Sequence, residues 1–152
     1  MPRISSRVLT AVVVTLATAG VIGAAGLNWG GHTMSIPGTL GGGIGEFETT
    51  GWAGRLIVGP FWLPNWMVVF ASGIVCWCSW LRAVRVGRIP AALPIAFTLY
   101  GVAHAGAMVF LFWGGSRASL GPGAPLTVLA FAAMLVMIVQ DVLIEARHTR
   151  SG

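Results

Sequence analysis

Four apolar stretches, each long enough to cross a lipid bilayer, divide this chain, and a short arginine-bearing connector orients them. The stretches cover about residues 8–27, 60–81, 90–113 and 124–144. At 1.5 Å per helical residue, about 20 residues traverse a hydrocarbon core ~30 Å thick. Arg82, Arg85 and Arg88 fall in the connector 82–89 between the second and third stretches. Each would cost about 2.5–3.5 kcal/mol at the bilayer centre, so this connector stays on the cytoplasmic side. Arg3, Arg7, Arg147 and Arg150 then share that side, leaving only Arg55 and Arg117 outside. The expectation is an all-α membrane protein: a single four-helix transmembrane domain over 1–152, both termini cytoplasmic, with one long Gly-rich outer loop.

Composition supports this class. Of 152 residues, 56% are hydrophobic and only 9% charged, whereas soluble domains carry about 25% charged residues. The net charge of +5 does not point to nucleic acid, because the arginines stand singly or in small groups at the ends of apolar runs. All basic residues are arginine, and Ala, Gly and Pro abound, a bias of GC-rich bacterial coding; the expected location is the bacterial cytoplasmic (inner) membrane. The two cysteines, Cys76 and Cys78, lie two apart in an apolar run and would point to different faces of a helix, which excludes a disulfide framework.

The first stretch carries small residues at every fourth place, Ala11, Thr15, Ala19 and Gly23, a spacing that lets another helix approach closely. Its basic lead and Ala17-Thr18-Ala19 also fit a cleavable signal peptide, a competing reading. Trp62 and Trp66 mark the outer end of the second stretch, Trp77 and Trp80 its inner end, as in an aromatic belt. Pro60 and Pro64 are expected in its first turns. Between the first two stretches, residues 28–59 hold ten glycines, a density that disfavours helix. The apolar part, Thr49–Val58, is expected to lie as an interfacial or partly re-entrant segment.

Few residues could carry chemistry. His104 falls near the middle of the third stretch, with Tyr100 and Met108 one turn away on either side. Ionisable groups at such depth serve proton relays, metals or haem, or else hydrogen-bond across a helix interface. A bis-histidine haem would need a second intramembrane histidine, which this chain lacks. Asp141, beside Gln140 near the inner end of the fourth stretch, reads either as a proton or cation site or as the partner of Arg7, Arg82 or Arg85. Cysteine and methionine sulfur could bind Cu(I), yet methionine is an ordinary gap filler. In the outer loop His32, Glu46, Glu48 and Trp52 could form a contact site, with His32 and the two glutamates conceivable around a cation. Gly41-Gly42-Gly43 lacks the ending of a phosphate loop. No cofactor and no metal site is expected, and no nucleophile triad can be read from spacing.

The function these features favour is a non-catalytic integral or accessory subunit of a larger membrane complex, with lipid and other membrane subunits, or copies of itself, as partners. The alternatives are a small oligomeric transporter or channel working through His104 and Asp141, and a redox subunit sharing a cofactor through His104.

Overall fold

The computed structural model describes residues 6–36, 43–58, 60–85, 89–113 and 118–150. Arg88, one of the three connector arginines, lies outside them. Among the described residues four helices are long and apolar enough to cross a membrane: α1 (Ser6–Ala25), α2 (Trp66–Ala83), α3 (Ala92–Trp113) and α4 (Gly123–Arg150). They run up, down, up and down. Each packs on the next in chain order, and α4 closes the ring against α1.

The ring holds together through one face of each helix. Val14, Val21, Val68, Val75, Phe131 and Met134 are fully buried in one continuous cluster. The opposite faces are apolar too, with Leu16, Phe70, Trp77, Phe110 and Leu129 exposed. A helix hydrophobic all round suits a lipid environment. Small residues set the spacing where the helices touch: a Cβ at Gly101 of α3 would stand 2.4 Å from the Phe131 ring of α4, so that crossing requires glycine. The small-residue row of α1 faces α2 only in part. Thr15 Oγ1 accepts from Trp80 Nε1 at 2.9 Å and donates to Ala11 O, while Ala19 and Gly23 are exposed.

The connectors at one end of the ring are not irregular. Asn28–Ile36 (β1), Gly43–Thr50 (β2) and Ala118–Leu120 (β5) form an antiparallel sheet in the order β2-β1-β5, with His32 opposite Phe47 on one side and Ala118 on the other. Arg55–Val58 (β3) and Phe61–Pro64 (β4) form a hairpin. The described parts of the glycine-rich segment therefore fold mainly as strands, and Thr49–Val58, expected to be interfacial or re-entrant, supplies the end of β2, a turn and β3. The second helix also starts later than expected, at Trp66 rather than Pro60. Pro64 disfavours helical geometry at Leu63 and cannot donate to a ladder, so this stretch ends a two-stranded hairpin instead of opening a helix.

Trp29 fastens the sheet to the ring. It is fully buried and its Nε1 donates to Ala24 O at 3.0 Å. Around it the chain passes so closely that side chains are excluded: a Cβ on Gly123 would lie 2.3 Å from the indole, and one on Gly121 2.1 Å from Asn28 O. Gly121 and Gly123 thus serve close approach of backbone and ring.

Candidate functional site

Two polar clusters are built into the apolar ring, one near each end. The first centres on His104, which α3 carries on its buried side at 2% exposure. Its Nε2 lies 3.2 Å from Asn65 Oδ1, and its Nδ1 lies 3.2 Å from the Tyr100 hydroxyl one turn earlier. Asn65 precedes the first turn of α2 with helical backbone angles, yet its side chain does not cap that helix. Its Nδ2 instead donates to Thr50 O at 2.8 Å and to Ala53 O at 3.3 Å.

Those two carbonyls assign the protons. With both amide hydrogens of Asn65 directed at carbonyl oxygens, Oδ1 is left to accept, so His104 Nε2 is the donor. His104 Nδ1 then accepts from Tyr100. The chain runs from Tyr100 through His104 and Asn65 to backbone carbonyls of the turn between β2 and β3, and each member is used. Both ring nitrogens are engaged, Nδ1 with the Tyr100 hydroxyl and Nε2 with Asn65 Oδ1. A proton arriving at Asn65 meets an amide and two carbonyls, which pass nothing on.

The second cluster ties the opposite helix ends together. Asp141 of α4 is 5% exposed; its Oδ1 accepts from Ser6 Oγ at 3.1 Å, and its Oδ2 is 3.6 Å from Arg82 Nη2. Arg82 reaches further, donating to Glu145 Oε2 at 3.1 Å and to Ile89 O at 3.2 Å. Glu145 in turn pairs with Arg7 at 2.7 Å. Two guanidiniums and two carboxylates therefore compensate each other across α1, α2, α4 and the segment leading into α3. A small crevice between Arg7, Thr10, Ser79 and Asp141 opens beside them. Gln140 is exposed and turned away from this cluster. Arg85 is exposed just beyond α2, with φ of 57°.

Among the described side chains, those singled out in the segment 28–59 do not come together. His32 stands opposite Phe47 in the sheet and its ring lies 4.9 Å from that of Phe112. Glu48 is one position further along, opposite Gly31, hence on the other face. Glu46 stands opposite Thr33, and its side chain lies outside the described residues. Trp52 is exposed in the turn after β2. Among the described residues no three His, Cys, Asp or Glu side chains gather in a way that could hold a metal ion. Cys78 is buried and Cys76 half-buried, its Sγ 3.5 Å from Thr15 Oγ1.

Sequence reasoning passed over Asn65, although it is the one amide or charged side chain between Arg55 and Arg82. A lone amide in such a run needs a partner, and that was the available signal. Ser6 and Glu145 were missed for a different reason: each is ordinary at a helix end and acquires its role only from the packing of α1 against α4. Compared with known proteins, the chain matches no protein-family model and no curated relative.

Proposed function

We propose that this chain is a multi-pass protein of the bacterial cytoplasmic membrane, with both termini and the Arg82 cluster on the cytoplasmic side and the strands outside, and that it serves as a non-catalytic integral subunit of a larger membrane assembly. Spacing supports the membrane placement. Eighteen residues separate Arg7 from Ala25 in α1, eighteen separate Gly123 from Asp141 in α4, and seventeen separate Asn65 from Arg82. Each interval rises about 27 Å, close to the ~30 Å of bilayer hydrocarbon. The charged layer and the layer of helix ends beneath the strands thus match the two boundaries of a membrane. Arginine bias gives the direction.

The observation carrying the subunit reading is the closed Tyr100–His104–Asn65 chain. Polar groups at membrane depth that serve transport or redox chemistry face a path or a cofactor. Here both ring nitrogens of His104 and the Nδ2 and Oδ1 of Asn65 are engaged within the chain. The carrier alternative needs His104 and Asp141 along one path, whereas they belong to separate clusters near opposite ends of the ring. Purification from native membranes in mild detergent, followed by native mass spectrometry, tests the reading. A second polypeptide in fixed ratio is the expected result; a pure monomer or homo-oligomer overturns it.

A further inference from the structure

The hairpin β3–β4 has two faces of different character. Leu56 and Leu63 stand opposite each other, Leu56 buried and Leu63 half-buried against the core cluster, with β3 packed on α3. On the other face Ile57 pairs with Trp62, and both are more than 60% exposed. Arg55 shares that face, and its guanidinium lies over the Trp62 ring, 5.8 Å from the centroid. Among the described residues Arg55 has no carboxylate in an ion pair. Among the described residues, the hairpin therefore presents a cation without a counter-charge on an exposed aromatic ring.

Its height is set. Pro64, opposite Arg55, leads directly into Asn65, which is bonded to the turn below the sheet and marks the outer boundary layer described above. Gly54, at φ 105° and with its carbonyl accepting from Asn65 N, holds the other leg at the same place. Arg55 and Trp62 thus lie within a few residues of the hydrocarbon edge. A two-stranded hairpin cannot sit deeper, because its outer backbone groups need water. Tryptophan favours this interfacial zone, and arginine pairs with phosphate. Trp66 and Phe70, at the start of α2 where the hairpin leads, are exposed as well.

We infer that the Arg55–Ile57–Trp62 face of the hairpin is a lipid-binding surface that takes the phosphate of an anionic phospholipid in the outer leaflet, with Arg55 as the phosphate ligand and Trp62 as the platform beneath it. The inference rests on the membrane placement proposed above and specifies one of its contacts. A protein partner is disfavoured at this face, because the chain runs from it directly into α2, whose exposed Trp66 and Phe70 face lipid in the placement proposed above, and its charge matches a headgroup.

The test uses the full chain in nanodiscs of mixed phosphatidylcholine and phosphatidylglycerol. A photoreactive benzoylphenylalanine replaces Trp62, Ile57 or, as reference, Phe70, and adducts are read by mass spectrometry. Lipid adducts at all three positions are expected, enriched in phosphatidylglycerol at 57 and 62. Arg55→Gln in the Ile57-substituted chain should lower that enrichment about fivefold, the share of one basic side chain in attraction to an anionic surface. Lipid adducts at 70 without any at 57 and 62 overturn the hairpin inference and leave the membrane reading intact. No lipid adduct at any position overturns both. Undiminished enrichment in the Arg55→Gln chain removes the role assigned to Arg55. Parallel irradiation in native membranes covers the remaining possibility: a polypeptide adduct at 57 or 62 there makes the face a protein contact and overturns the inference.

Discussion

Asn65 Oδ1 and His104 Nε2 meet 3.2 Å apart across 39 residues of sequence, and their contact joins the start of α2 to the buried side of α3. Because Asn65 also holds Thr50 O and Ala53 O, one amide connects the strands above to the helices below. A histidine that looks like a chemical group in the sequence is, in the structure, the middle of a fastening.

The pair should therefore be energetically coupled. Asn65→Ala takes the side-chain donor from Thr50 O and the acceptor from the imidazole N–H, while Ala53 O keeps the bond from Thr50 N, and a buried unsatisfied group costs about 1–3 kcal/mol. His104→Ala removes the other half and leaves the Tyr100 hydroxyl unpaired as well. Unfolding followed by tryptophan fluorescence in a detergent titration should show each variant destabilised by about 2–3 kcal/mol. The double variant should lose at least about 0.5 kcal/mol less than the sum. Strict additivity would remove the fastening.

Arg82 should be the most sensitive position in the charged layer. Among the described residues it meets Asp141, Glu145 and Ile89 O together, and Arg82→Gln takes from the buried Asp141 carboxylate the cation it pairs with. Removing one member of a buried pair costs about 3–5 kcal/mol, and the 3.6 Å separation argues for about 3. Arg82→Lys keeps the charge but not the planar fork that serves several acceptors, so it should recover only part of the loss. Arg7→Gln, at a half-exposed bridge, should cost under about 1 kcal/mol. Equal losses at Arg7 and Arg82 would show that burial does not govern this network.

Glycines should divide into two groups. Gly101→Ala drives a Cβ into the buried Phe131 ring and Gly121→Ala drives one onto Asn28 O, so each should destabilise by about 1–3 kcal/mol. Gly20→Ala and Gly73→Ala meet nothing within 4 Å and improve helix propensity by up to about 1 kcal/mol. The same unfolding assay should rank the four in that order. A loss at Gly20 or Gly73 in the purified chain would contradict the open surroundings found there.

The four helices were legible because hydropathy over some twenty residues needs no knowledge of tertiary contacts. What escaped was everything that depends on distant partners. β5 lies some ninety residues from β1, with Ala118 opposite His32, and three residues between Arg117 and Gly121 carry no period that announces a strand. The glycines of 28–59 read as a loop because glycine permits many conformations; it takes the Phe112 ring against Gly30, and Ala25 with the Trp29 ring against Gly51, to reveal that these two are there for closeness. His104 stood out on chemistry alone, but its role was set by Asn65, whose polarity was visible in the sequence and whose partner was not.

Orientation is open to a direct chemical reading. Trp52 is exposed beside the strands and Arg85 is exposed beyond the far end of α2, so the membrane placement puts them on opposite sides. In a background with Cys76 and Cys78 replaced by serine, Trp52→Cys should react with a membrane-impermeant maleimide in intact cells. Arg85→Cys should react only after permeabilisation. Neither position belongs to the two polar clusters, so both variants should fold. The direction follows from arginine count, since Arg7, Arg82 and Arg147 share one end of the ring with Arg85 while Arg55 lies at the other. Labelling of Arg85→Cys in intact cells would invert the protein, place the hairpin in the inner leaflet, and remove the outer-leaflet phosphate contact assigned to Arg55.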